Sequence, residues 1–247
     1  MYLNTRGLVL RVSDYNDRDA LLTLLTPEHG KITVKARGLR RKNSPLTAPC
    51  QLLALGEFTL FEYRDSYSIN EAHSIELFQG LRKDIVKLSL GTYFAQVAEL
   101  LSMEDTPSPE LLSLVLNCLF ALSELHVREN QVKAVFELRC ACLSGYTPDL
   151  FACYMCGNQE PDRFDVSNGT LSCATCRKMG ESGIRMPLTA SVLCAMRYIV
   201  SSDPKRLLSF DASDETVKQL SQITELYLTT QLERGFTALD FYKSLFL

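Results

Sequence analysis

Lys31-Ile32-Thr33-Val34-Lys35-Ala36-Arg37 alternates apolar and polar side chains with the period of two that marks a half-buried β-strand. Ile32, Val34 and Ala36 face a core, while Lys31, Thr33, Lys35 and Arg37 face outward. Similar runs lie on either side. Gly7–Ser13 alternates, with Leu8, Leu10 and Val12 opposite Val9 and Arg11. Leu21–Thr26 is an apolar run closed by the turn signal Pro27-Glu28-His29-Gly30. Further strands are expected over Gln51–Tyr63 and Ser66–Ala72. This density of short strands within residues 1–76 predicts a small antiparallel barrel or sandwich.

From Ile75 the apolar period becomes helical, over Ile75–Met103, Pro109–Leu125 and Asn130–Gly145. Ser108-Pro109-Glu110 reads as a helix start, with a capping hydroxyl, proline at the first position and an acid in the first turn. Thr189–Ser201 and Asp214–Leu232 complete the helical part. Phe151–Gly183 interrupts it with glycines and paired cysteines. The expected class is therefore α+β. Residues 1–76 form the β-domain, 77–150 and 184–247 the helical domain, and 151–183 an insertion in it.

A hydrophobic fraction of 46% and a charged fraction of 22% are those of a soluble globular protein. No apolar run has the length to span a bilayer, and Met1–Arg6 lacks the pattern of a secretory signal, so the cytoplasm is the expected location. Nine cysteines cannot all pair within one chain. Cys50, Cys118, Cys140, Cys142 and Cys194 sit among apolar residues and are expected to be buried free thiols.

The other four form two C-x2-C knuckles, Cys153-Tyr-Met-Cys156 and Cys173-Ala-Thr-Cys176, separated by sixteen residues. Each knuckle aims two thiolates at one point, and two knuckles complete a tetrahedron around one zinc ion. Phe164–Leu171 between them reads as a hairpin turning at Asn168-Gly169. A redox dithiol needs only one knuckle. Four thiolates leave no open coordination position, which makes the zinc structural and counts against a zinc hydrolase.

Net charge is −3, yet Lys31, Lys35, Arg37, Arg40, Arg41 and Lys42 stand together with no acid among them. One reading is a solvated strand and loop. The other is a phosphate-binding surface, since Lys and Arg contacts supply most affinity for nucleic acid. Tyr15, Phe58, Phe61, Tyr63 and Tyr67 include candidate stacking residues, most of them expected in the core. Phosphate-loop, dinucleotide and nucleophile-elbow motifs are absent, and His29, His73 and His126 adjoin no candidate nucleophile, so no enzyme is expected.

Several stretches together resemble the bacterial RecO family of recombination-repair proteins over essentially the whole chain. They are Arg6–Leu10 with Tyr15 and Asp19, Gly30-Lys31 through Ala36-Arg37-Gly38 with Arg40-Arg41-Lys42, and Phe136–Arg139. Gly145-Tyr146 and the double knuckle complete the set. The resemblance implies an N-terminal OB-fold, a helical domain and a zinc-bearing insertion. It implies binding to single- and double-stranded DNA, annealing of complementary strands and loading of RecA onto gapped DNA. RecR and the tail of the single-stranded-DNA-binding protein are the implied partners, without a membrane, and the implied setting is the bacterial nucleoid. The tail Leu239–Leu245 is less basic than related chains often show. An interaction scaffold built from ribbon and helices is the alternative.

Overall fold

The computed structural model describes residues 1–64, 66–176 and 183–246. β1 (Tyr2–Asp14) is long enough to serve two neighbours. Its second half pairs antiparallel with β2 (Ala20–Thr26) and its first half with β4 (Leu55–Tyr63). A register shift between Val9 and Arg11 supplies the bend such sharing needs. β3 (Gly30–Ala36) pairs antiparallel with β2 and parallel with β5 (Ser66–Glu76), and β5 returns antiparallel to β4. The closed order β1-β2-β3-β5-β4 is an OB-like barrel. Ile32, Val34 and Ala36 enter its core with Val9, Leu22, Leu24, Phe58 and Leu60, as the alternation requires.

The chain divides into two compact units. One comprises Met1–His126 with Phe236–Leu247, the other Val127–Gly235. In the first, the barrel packs against α2 (Ile85–Leu101) and α3 (Pro109–Glu124), with the short α1 (Gln79–Arg82) beside them. Gly30 is required where β3 meets this helical layer. It holds φ +59°, and a Cβ there would lie 2.2 Å from the Thr106 carbonyl oxygen and 2.3 Å from that of Met103. Next to it, Lys31 Nζ donates to the Glu99 carbonyl at 2.9 Å, satisfying an orphan acceptor in the last turn of α2.

In the second unit, α4 (Glu129–Leu143), α5 (Ala190–Ser201) and α6 (Asp214–Gln231) pack together with a small sheet. α4 ends in a Schellman motif. The Gly145 amide donates to Cys142 O at 3.1 Å and that of Tyr146 to Ala141 O at 2.9 Å, with Gly145 at φ +88°. Lys133, buried on α4, bridges Glu137 Oε1 at 2.9 Å and Glu225 Oε2 at 2.8 Å. The sheet runs β6 (Asp149–Cys153), β8 (Thr170–Ser172), β7 (Arg163–Asp165), β9 (Arg185–Pro187).

Several boundaries differ from the sequence reading. β5 extends to Glu76, and α2 starts only after Asp84, whose carboxylate accepts from the Val86 and Lys87 amides. Residues 51–54 leave the strand, with Leu53 at φ +63°; Ala54 joins the barrel core, and the Leu53 side chain lies against Gly91 of α2. Ser108 precedes α3 without capping it, its hydroxyl donating to Thr106 O instead. Cys194 is exposed and Cys142 half-buried, so two of the five single thiols are less buried than their neighbours in sequence suggested. The helix α7 (Thr237–Ser244) went unforeseen. Its first turn is held by Gln96 of α2, which accepts from the Ala238 amide and donates to Thr237 Oγ1. The two compact units also cut through the expected 77–150 segment, between His126 and Val127. No helix of the described residues is long and apolar enough to cross a membrane.

Burial raises the Glu137 carboxyl above its ordinary 4.5, against the opposing pull of Lys133. The folded state then keeps a proton that the unfolded chain has lost, so this group withdraws stability as pH rises above 4.5. Glu137→Gln, which cannot ionise, is expected to gain on the parent in urea midpoint as pH is raised from 4 to 7. Parallel pH profiles for the two would refute it.

Candidate metal centre and nucleic-acid interface

The first knuckle closes at the end of β6. The Gly157 amide donates to Cys153 O at 2.9 Å, and Gly157 sits at φ +74°, a turn that favours glycine. In the second knuckle the Cys176 amide donates to Cys173 O at 3.1 Å. β6 and β8 are adjacent in the sheet, which brings the knuckles together. The hairpin between them pairs Phe164 with Leu171 as expected. Its turn is longer than Asn168-Gly169 alone, spanning 166–169, and the buried Asp165 carboxylate accepts from the Ser167 and Asn168 amides.

All four Sγ atoms lie within 4.8 Å of one another. Cys156 and Cys173 Sγ are 3.8 Å apart. A tetrahedral ion with metal–sulfur bonds of about 2.3 Å has sulfur–sulfur edges of about 3.8 Å, so the Cys156–Cys173 edge matches and the four cysteines could hold a metal ion. Burial raises the Cys153 thiol, but the amides of Cys156, Met155 and Cys173 outweigh it and bring the pKa to about 6. Cys176 is pushed the other way, to about 12, by its hydrogen bond to Cys156, by burial and by Cys156 charge. Four sulfurs around one point thus resist full ionisation until a cation sits among them. Asn158 braces both knuckles: Nδ2 donates to Cys173 Sγ at 3.3 Å and its carbonyl accepts from the Cys153 amide at 2.7 Å.

The six sequence cations have unequal freedom. Lys31 is committed to the end of α2. Lys35 Nζ lies 3.6 Å from Asp19 Oδ2 and 4.1 Å from the centre of the Tyr15 ring. Arg40 pairs with Asp14. Arg37, Arg41 and Lys42 are exposed and have no ion pair among the described residues. The segment carries no acid of its own, but the β1–β2 loop brings Asp14 and Asp19 onto it, so its charge is partly offset. That loop also fixes its shape. Asp19 Oδ1 accepts from the Gly38 amide at 2.8 Å, and the Arg18 carbonyl accepts from the Arg40 amide at 3.1 Å. The Gly38 and Asn16 hydrogen bonds hold the Asp19 carboxyl below its ordinary value. Leu39 and Leu46 pack on the barrel core, which turns Arg40, Arg41 and Lys42 outward.

Sequence reading did not single out two exposed cations of the barrel. Arg18 is exposed on the β1–β2 loop, and Arg64 lies 5.1 Å over the Tyr63 ring at the β4–β5 turn. Each is isolated in sequence; strand pairing brings Arg18 onto the basic segment, where its carbonyl accepts from the Arg40 amide, while Arg64 lies toward the end where β3 begins. Phe58 is core, and Tyr67 is half-buried against the core. Tyr15, Phe61 and Tyr63 are exposed.

Two outcomes follow. Cys156 is exposed, so Cys156→Ser removes a ligand with little loss of packing, and metal bound per chain by elemental analysis is expected to fall well below the parent's. Undiminished metal would mean the ligand set is wrong. Asp19→Ala is expected to speed hydrogen exchange at the Gly38 amide, read by NMR, and unchanged protection would remove Asp19 as the anchor.

The family model described as Recombination protein O N terminal matches residues 1–78, and Recombination protein O C terminal matches residues 82–240. The DNA repair protein RecO of Acetivibrio thermocellus is 32% identical over 246 residues, covering 99% of this chain and 97% of the relative. Those of Alkaliphilus metalliredigens (27% over 248 residues, 99% and 100% covered) and Bacillus subtilis (28% over 228 residues, 92% and 88%) are also similar. Barrel, helices and cysteine cluster thus stand in a chain matched nearly end to end, and the chain belongs to the RecO family of DNA repair proteins.

Proposed function

We propose that the chain is a non-enzymatic recombination mediator. It binds single- and double-stranded DNA on the basic face of its barrel, anneals complementary strands and, with RecR, helps load RecA onto gapped DNA coated by single-stranded-DNA-binding protein. The observation that carries this reading is the gathering of Arg18, Lys35, Arg37, Arg40, Arg41 and Lys42 at one end of an OB-like barrel. There the first loop and the outer face of β3 meet, a region such barrels use for oligonucleotides. Annealing then needs no covalent chemistry. Neutralised phosphates let two strands approach, and release of condensed counterions supplies the driving force. An open groove between α2 and α7, lined by Ile85, Leu88, Thr92, Ala238 and Phe241, supports the placing of protein partners on helices.

The metal in this reading is one zinc ion held by Cys153, Cys156, Cys173 and Cys176. A closed four-thiolate site braces the sheet of the second unit and offers substrate no coordination position. The working compartment is the bacterial cytoplasm, at the nucleoid when active. A protein-interaction scaffold is the second reading, favoured by the pairing of Arg40 and Lys35 with Asp14 and Asp19.

The triple variant Arg37→Ala, Arg41→Ala, Lys42→Ala is expected to weaken binding to a short single strand. It should also reduce the slope of log affinity against log salt by about 0.7 for each phosphate that is no longer neutralised. Lys31→Ala is expected to lower stability and leave that slope unchanged. Unaltered affinity and slope in the triple variant would favour the scaffold.

A further inference from the structure

The four knuckle sulfurs lie close together but are unequally placed. Cys153 is only 2% exposed, and its sulfur accepts from the amides of Cys156, Met155 and Cys173. Cys173 and Cys176 are half-buried, and Asn158 Nδ2 donates to Cys173 Sγ. Cys156 alone of the four is exposed. Its Sγ lies 3.8 Å from Cys173 Sγ, which belongs to the other knuckle.

Exposure decides which thiol an oxidant reaches, and a second sulfur within reach decides what becomes of the oxidised one. Cys156 meets both conditions. The cysteines outside the cluster do not. Cys50, Cys118 and Cys140 are buried, and burial pushes the Cys50 thiol up to about 12. Cys142 is half-buried. Cys194 is the other exposed thiol, but it stands on α5, outside the group of four. Cys156 is therefore the one exposed thiol that has a resolving partner among the clustered cysteines.

We propose that Cys156 is a peroxide-reactive thiol with Cys173 as its resolving partner, and that the disulfide they form dismantles the metal centre of the second unit. The proposal rests on the metal reading above and adds a reaction to it. First, the Cys156 thiolate attacks one peroxide oxygen, the O–O bond breaks, hydroxide leaves and Cys156 becomes a sulfenic acid. The Cys173 thiolate then attacks the Cys156 sulfur, the S–O bond breaks and a second hydroxide leaves. The two sulfurs together give up two electrons, the peroxide takes them, and two protons from solvent turn the hydroxides into water. The sulfurs have to close from 3.8 Å to about 2.0 Å. The link joins the end of β6 to the end of β8, strands that are already neighbours, so no element has to cross the sheet. Each knuckle loses one ligand. Cys153 and Cys176 are left, two thiolates where a closed site needs four. A thiol reductant reverses the bond by exchange.

In the full-length chain carrying Cys194→Ser and loaded with zinc, Cys156 is the one exposed thiol. Hydrogen peroxide is added in steps, released zinc is read with a metallochromic dye, and disulfides are mapped by mass spectrometry of the alkylated, non-reduced digest. Zinc release is expected in step with a Cys156–Cys173 linkage, and zinc is expected to rebind after dithiothreitol. A linkage within one knuckle, Cys153–Cys156 or Cys173–Cys176, would overturn the proposal, as would zinc release without any linkage. Zinc that stays bound while Cys156 stays reduced overturns the oxidation and leaves the metal centre standing. A chain that takes up no zinc before peroxide is added removes the metal reading and the proposal together.

Discussion

Barrel closure depends on one strand being shared. β1 bends at Val9–Arg11 so that its two halves pair with β2 and with β4, and Leu8 has partners on both sides. Without that bend the sheet would stay open and its two edge strands would lie unpaired. With it, the β1–β2 loop and the end of β3 are drawn to the same end of the barrel. Arg18 and Arg37, apart in sequence, acquire a common neighbourhood from this pairing. The surface proposed to meet DNA is therefore a consequence of topology as much as of charge.

The same closure gives several recognisable sequence positions a structural task. Gly30 lets two backbones approach, Lys31 satisfies a helix end, and Gly38 presents its amide to Asp19. In the second unit Arg139 donates to the Val200 carbonyl at the end of α5, and Gly145 terminates α4. These positions carry the resemblance to the family because the fold needs them. The neighbours proposed to meet DNA, Arg37, Arg41 and Lys42, make no ion pair among the described residues.

The strands were legible because one-sided burial writes a period of two into Lys31–Arg37, and the cysteine cluster because four thiols that could hold one ion come as two knuckles at a fixed spacing. What escaped depends on distant partners. The start of α7 is held by Gln96, whose helix ends more than a hundred residues earlier. Asp14 and Asp19 offset the basic segment only once β1 and β2 are paired. In each case the deciding contact spans the sequence, and no local pattern records it.

Hydrogen–deuterium exchange across the chain, with and without a saturating single strand, tests the central claim most directly. Added protection is expected in residues 15–19 and 33–42, with 127–235 unchanged. Protection confined to 127–235, with the barrel segments exchanging as before, would contradict it.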